Sequence, residues 1–233
     1  MVAQPSLAEK ARLLGQDVFL GGSPKKFEEG GRIQLIALLR NGLNPYSRVL
    51  DMGCGCLRGG YWLIHFLSAD CYFGIEPNRD MLELGLREFV EDEVIAARRP
   101  KFDHNDRFDA SVFGTTFDFF LARSVWTHAD KSQIESMLDQ FVGHAREGGV
   151  FLTSYLPAGI FRHRDYRGSG WVGRDHRGGS AGYVYHSLSW IQEVARSRGL
   201  TVKELEDDVF QRQRWLRIDK PVATDEARED EVS

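Results

Sequence analysis

Two hydrophobic periods alternate along the chain. From Phe27 to Leu43 the residues Phe27, Ile33, Ile36, Ala37 and Leu39 form one apolar side, and Asn41-Gly42 is a stop signal, so this stretch is predicted helical. A short strand over Arg48–Asp51 follows, then a helix over Leu57–Leu67 with Tyr61, Ile64 and Leu67 on one side. A strand over Cys71–Ile75 precedes a helix over Asn78–Ile95, carried by Leu82, Leu86, Phe89 and Val90. A third strand is expected near Lys101–His104, and Phe117–Ala122 is an apolar strand broken only by Asp118. The clearest helix follows. Ile134, Met137, Leu138, Phe141, Val142 and Ala145 keep the spacing of a buried face. Asp130 is its N-cap with Gln133 three residues on, and Gly148-Gly149 is its expected end. Strand Val150–Tyr155, helix Ser187–Arg198 and an antiparallel hairpin of Leu200–Leu205 with Gln213–Ile218 complete the pattern.

Strands alternating with helices predict an α/β fold. The expectation is a Rossmann-like, doubly wound, mostly parallel sheet of seven strands. Its last strand is antiparallel, and helices cover both faces. Residues 27–219 form the domain, 1–26 an N-terminal extension, 156–186 an insertion without periodicity, and 220–233 an acidic tail.

Charge sharpens this picture. The net charge is −4, and Val222–Ser233 accounts for all of it: Asp225, Glu226, Glu229, Asp230 and Glu231 stand against Arg228 alone. A formally neutral body argues against bulk electrostatic binding of nucleic acid, and the tail has too few apolar residues to fold alone. No apolar run approaches the ~20 residues of a membrane span, and Met1 to Gly15 has no secretory pattern. Cys54, Cys56 and Cys71 make neither a disulfide framework nor a zinc pattern. They read as reduced thiols of a cytoplasmic protein. No membrane partner is expected, and a homodimer is compatible with the pattern.

The chemistry concentrates in Val49-Leu50-Asp51-Met52-Gly53-Cys54-Gly55, after a strand and before a helix. Glycines let the backbone turn tightly and approach a ligand, and the helix start directs free N–H groups at it. Twenty-one residues after Gly55, the second strand ends in Gly74-Ile75-Glu76-Pro77. A carboxylate at that strand tip can accept from both ribose hydroxyls of an adenosine ligand. This also fits NAD, but Gly59 falls one place late for the dinucleotide fingerprint. Asp51 decides the matter. A carboxylate there repels a pyrophosphate but favours the α-ammonium group of S-adenosylmethionine (SAM).

In order, Asp51-Met-Gly-Cys-Gly, Gly74-Ile-Glu76, Phe117-Asp-Phe-Phe-Leu-Ala and Gly148-Gly-Val-Phe-Leu resemble the motif series of class I SAM-dependent methyltransferases. Cys56-Leu-Arg-Gly-Gly60 is similar to bacterial small-molecule members. The resemblance implies SAM as cofactor, with Asp51, Gly53, Cys54, Gly55, Glu76 and Pro77 in its site. Arg58, at the start of a helix facing the cofactor, would pair with the SAM carboxylate. An acid after the third strand meets the adenine amino group, which points to Asp106 with Asp109 as rival. Arg123 and Ser124, after the fourth strand, line the floor beneath the methyl group.

Methyl transfer needs alignment, exclusion of water and, for a hydroxyl acceptor, a base. His128 follows the fourth strand, at the mouth of the expected methyl channel; its other reading is a structural histidine bonding nearby backbone. His163 and His176, in the insertion with Asp165 and beside His186, are the other candidate bases. A metal site from His163, Asp165 and His176 lacks ligand spacing, and no metal is expected.

The insertion carries Phe161, Tyr166, Trp171, Tyr183 and Tyr185. Five arginines (162, 164, 167, 174, 177) stand against Asp165 and Asp175. That composition predicts a lid over the acceptor. Leu121-Ala-Arg-Ser-Val lacks the Asn/Asp-Pro-Pro-aromatic motif of nucleic-acid amino methyltransferases, and no paired-glutamate loop of arginine methyltransferases is present. The expected function is therefore methylation of a small molecule, at oxygen first, with nitrogen or carbon next. A non-catalytic SAM-binding scaffold is the reading from another class.

Overall fold

A computed structural model of the chain describes residues 5–16, 18–159, 163–173, 182–210 and 212–222, with the backbone alone at 206–210. Seven strands form one sheet: β1 (Val49–Met52), β2 (Tyr72–Ile75), β3 (Lys101–Asp103), β4 (Phe117–Ala122), β5 (Ala145–Tyr155), β6 (Thr201–Phe210) and β7 (Gln213–Asp219). Their order is β3-β2-β1-β4-β5-β7-β6. The first five run parallel, and β7 lies antiparallel between β5 and β6.

Successive residues of the central strands serve opposite faces, so strand after strand reads as an unbroken apolar run. Leu50, Met52, Phe120, Ala122 and Phe151 pack on one side, against Ile134, Met137, Leu138 and Phe141 of α6 (Lys131–His144) and Ile191 and Ala195 of α7 (Leu188–Arg196). Val49, Phe119, Leu121, Val150 and Leu152 pack on the other. There they meet Ala37 and Leu38 of α2 (Phe27–Arg40), Leu63 and Ile64 of α3 (Gly60–Phe66) and Leu82 of α4 (Arg79–Phe89). The doubly wound sheet is the one the hydrophobic pattern predicts.

Boundaries differ from expectation in several places. The helix expected over Asn78–Ile95 is two, α4 and α5 (Asp92–Arg98), because Val90 is extended (φ −107°, ψ 130°). The helix expected from Leu57 begins at Gly60, since Leu57 itself is left-handed (φ 62°). The helix expected to reach Gly148 ends at His144, and β5 starts at Ala145; both elements bury that residue, so the period carries across the junction. Residues 5–26 are not a bare extension. They contain α1 (Leu7–Leu14), opened by a reciprocal capping box of Ser6 and Glu9. Ala11 and Leu20 are buried in one cluster with Phe27, Cys56 and Phe89.

Within the insertion, Pro157 pairs with His186 and Asp165 with Tyr185 in isolated bridges. Lys131 holds the Asp165 carboxylate at 2.6 Å, and Val172 N–H donates to the His128 carbonyl at 2.8 Å. Its described parts are thus tied to the start of α6 and the loop after β4. His176, Phe161, Arg162 and the acidic tail from residue 223 onward lie outside the described residues.

Candidate active site

Glycine makes the site possible where β1 ends. Gly53 (φ +75°) and Gly55 (φ +57°) are left-handed, and a Cβ on Gly53 would lie 2.8 Å from Val125 Cγ2. The turn brings backbone N–H groups to the carboxyl end of the sheet. There the strand order reverses between β1 and β4, which is the ligand crevice of open α/β sheets.

Glu76, buried at the tip of β2, accepts from Gly55 N–H at 2.9 Å through Oε2 and from Asn78 N–H at 2.9 Å through Oε1. Asp51 is buried at the end of β1, where Oδ2 accepts from the Tyr72 hydroxyl at 2.8 Å. Burial pushes its carboxyl up to about 7; the Tyr72 bond opposes the shift and the Glu76 charge adds to it. Cys54, Cys56 and Cys71 are buried and unpaired. Burial pushes the Cys56 thiol up to about 12, which makes it a poor nucleophile.

Two adjoining cavities share this turn. The larger, about 210 Å³, is lined by Gly53, Gly55, Glu76, Pro77 and Asp106, by apolar Ile75, Met81 and Phe108, and by Arg123, Ser124, Val125, His128, Gln133 and Trp171. The smaller, about 80 Å³, is lined by Asp51, Gly53, Cys54, Gly55, Arg58, Gly59, Arg123 and Ser124. Phe19 and Gly21 of the N-terminal segment also line the larger cavity, and Leu20 and Gly21 the smaller.

The structure separates the two candidate acids. Asp106 lines the larger cavity, whereas Asp109 caps a short 3₁₀ helix by accepting from Ser111 N–H at 3.0 Å. Arg123 and Ser124 belong to a polar network across three strands. Arg123 Nη1 donates to Ser154 Oγ at 2.8 Å and to the Gln213 side chain, and Ser124 N–H donates to Ser154 Oγ at 2.9 Å. Ser124 is left-handed (φ 62°), a strained position for a non-glycine residue. Burial pushes the Arg123 guanidinium down to about 9, and Arg58 contributes in the same direction. Arg58 itself donates through Nη2 to the carbonyls of Leu20, at 3.3 Å, and Gly21.

Of the candidate bases, His128 and His163 part company, and His176 lies outside the described residues. His128 lines the larger cavity, and its Nδ1 donates to the Val172 carbonyl at 2.8 Å. Its ring stacks on Trp171 (centroids 5.4 Å, 25°), and burial holds its pKa below the ordinary imidazole range. His163 is exposed and stacked on Tyr185 at 4.3 Å, away from both cavities. Asp165, proposed beside it, is taken by Lys131 and by Ser187 N–H. Among the described residues no cluster of His, Cys, Asp or Glu could hold a metal ion, and no helix is long and apolar enough to cross a membrane.

Phe19, Met81, Phe108, Gln133, Ser154 and Gln213 are site residues that sequence reading missed. The Val18-Phe-Leu-Gly-Gly run was the available signal for Phe19. The others carry no local mark.

The cavities suit SAM on observed grounds: a polar pocket with Asp51 shares the glycine turn with a larger one that is lined by Met81, Phe108 and Asp106. A methyltransferase domain profile matches residues 25–205. A search of curated protein sequences finds no match. Among solved structures, the chain is similar to magnesium protoporphyrin IX methyltransferase from Synechocystis with bound SAM, at TM-score 0.58 and 15% identity, covering 94% of this chain and 86% of that one. Human N-acetylserotonin methyltransferase in complex with SAM gives TM-score 0.58 and 13% identity, covering 93% of this chain and 57% of that one. An O-methyltransferase family protein from Burkholderia thailandensis gives TM-score 0.57 and 15% identity, covering 86% and 58%. With the profile spanning most of its length, the chain belongs to the methyltransferase domain family, SAM-dependent enzymes, and it has the class I fold of those structures.

Proposed function

We propose that the protein methylates an oxygen of a small acceptor that enters beside His128 and Trp171. The observation that carries this reading is one cavity lined at once by Glu76 and Asp106 and by the half-apolar pair His128 and Trp171. Glu76 would hold the ribose, Asp106 the adenine amino group, Asp51 the α-ammonium group, and the Gly53–Gly55 backbone the rest of the cofactor. When bound, SAM supplies a methyl group made electrophilic by its sulfonium charge.

The chain's own residues then have three tasks. Trp171 and the aromatic neighbours of His128 shield the acceptor from water and present flat surfaces to it. The Val172 carbonyl holds the imidazole proton on Nδ1, the Gly182 backbone is also bonded to the ring, and Nε2 would take the proton of the acceptor hydroxyl. Burial keeps that ring neutral, and so able to accept a proton, at physiological pH. The insertion acts as the wall or lid on this side, its described segment anchored through His128, Asp130 and Lys131.

A second reading rests on the same bond. The Val172 carbonyl and the Trp171 stack also make His128 a pin for the insertion, with no proton to take.

The test is incubation with methyl-labelled SAM and matched hydroxyl, amine and carbon-acid acceptors, with products identified by mass spectrometry. Label on hydroxyl compounds, lost in His128→Ala but kept in a variant of the exposed His163, supports O-methylation with His128 as base. Label on nitrogen or carbon alone refutes it.

A further inference from the structure

The N-terminal segment at residues 18–22 is fastened across the cofactor crevice by side chains of the glycine turn. Cys56 Sγ donates to the Leu20 carbonyl at 3.2 Å, and Arg58 Nη2 donates to the carbonyls of Leu20 and Gly21. The Arg58 guanidinium also lies 5.8 Å over the Phe27 ring, where α2 begins. Leu20 is buried beneath these bonds, while Phe19 keeps 42% of its surface exposed and faces the larger cavity. Gly21 lines both cavities. The segment is therefore a strap that walls the polar pocket and borders the mouth of the larger one.

We propose that Arg58 is a positioning residue that latches this strap over the cofactor, and that the strap must release before SAM or S-adenosylhomocysteine exchanges. Arg58 then acts through the Leu20 and Gly21 carbonyls, in place of the carboxylate pairing expected from sequence. The chemistry suits a latch. A guanidinium offers five donors in a fixed fork, and here it grips neutral carbonyls of one short segment. Those bonds are weaker than bonds to a carboxylate, and they are the right kind to break and re-form once per turnover. The half-buried guanidinium lies between the Gly21–Gly22 backbone and the Phe27 ring. Both carbonyl bonds come from Nη2 while the planar guanidinium lies over the Phe27 ring, a placement that a lysine ammonium does not reproduce.

The proposal rests on the cofactor site, and the unmodified protein tests that separately: it must bind S-adenosylhomocysteine at all. The experiment compares dissociation of S-adenosylhomocysteine and of methylthioadenosine, which lacks the amino-acid carboxylate, from the full chain and from Arg58→Met and Arg58→Lys. Stopped-flow displacement followed by tryptophan fluorescence supplies the rates. The latch predicts that both variants release both ligands about tenfold faster or more. If only S-adenosylhomocysteine is affected, Arg58 pairs with the carboxylate and the proposal is overturned. Unchanged rates for both ligands overturn it as well.

Hydrogen exchange on the unmodified protein guards against a folding defect in the variants. Amides of residues 19–22 should exchange faster than those of β1 without ligand and gain protection with S-adenosylhomocysteine. Equal protection in the two states contradicts a strap that opens for exchange.

Discussion

Replacing Glu76 by Ala removes a carboxylate with two duties. One is visible in the fold: Oε2 and Oε1 hold the Gly55 and Asn78 N–H groups at 2.9 Å each, so the side chain ties the glycine turn to the start of α4. The other, on the function proposed above, is the ribose. Each carboxylate oxygen accepts two hydrogen bonds, so the same group serves the backbone and two hydroxyls together. Hydrogen bonds to a charged group contribute about 1.5–3 kcal/mol each. Loss of two therefore weakens binding by about 3–6 kcal/mol, on the order of 10²- to 10⁴-fold. Stability falls as well, by roughly 1–3 kcal/mol for each N–H left unmatched; water in the cavity reduces that figure. The assay is calorimetry with S-adenosylhomocysteine and with its 2′,3′-dideoxy analogue, beside urea unfolding. The wild type should discriminate strongly between the two ligands, and Glu76→Ala should bind both weakly and nearly alike. Affinity within threefold of wild type refutes the ribose assignment. So does a variant that still prefers the hydroxylated ligand by the wild-type ratio, because the loss would then come from a relaxed turn alone.

Asp51 makes stability depend on pH: its folded carboxyl titrates at about 7 against an ordinary 3.8, so the native state binds the extra proton between those values. Stability should fall as pH rises through that window and the decline should flatten in Asp51→Asn, as read from urea midpoints. S-adenosylhomocysteine affinity should rise over the same interval with release of a proton, detectable by calorimetry in buffers of different ionisation enthalpy. His128→Ala should lower turnover about 10²- to 10⁴-fold, the usual reach of general base catalysis, while its S-adenosylhomocysteine affinity stays within about threefold. In the wild type at saturating SAM, where the Asp51 titration no longer limits binding, kcat/KM for the acceptor should fall only below an apparent pKa under 6.5, because burial depresses the ring's value. Gly173→Ala places a Cβ 2.8 Å from His128 Nδ1 and the Gly182 carbonyl at φ +102°, and should raise the acceptor KM about tenfold without changing cofactor affinity; unchanged steady-state kinetics would remove the insertion from the acceptor site.

What could be read from the chain alone depended on how local its cause was. β1, the glycine turn and the tip of β2 announce themselves within a few residues, because a buried parallel strand must be apolar and a tight turn at its end must be glycine. The Asp130–Gln133 capping box is local in the same sense, and the structure contains it. Helix ends were harder where two elements bury the same residue. Ala145 completes the apolar period of α6 and yet opens β5, so periodicity cannot show where the backbone changes. Val90 likewise fits the α4 period while its backbone is extended.

The acceptor side was the least legible, for a physical reason. The polar network of Arg123, Ser154 and Gln213 joins residues 31 and 90 positions apart, and each is an ordinary polar residue in its own surroundings. The strap shows the same limit from the other direction. Arg58 was picked out for its charge and its place beside the cofactor, but its bonding partners are backbone carbonyls 38 and 37 residues earlier, and a carbonyl has no sequence signature. Side-chain chemistry marks where a cofactor can be held. The segments that close over it are fixed by backbone contacts, which any residue type can supply, so in this enzyme the closing parts became visible only when the chain was seen folded.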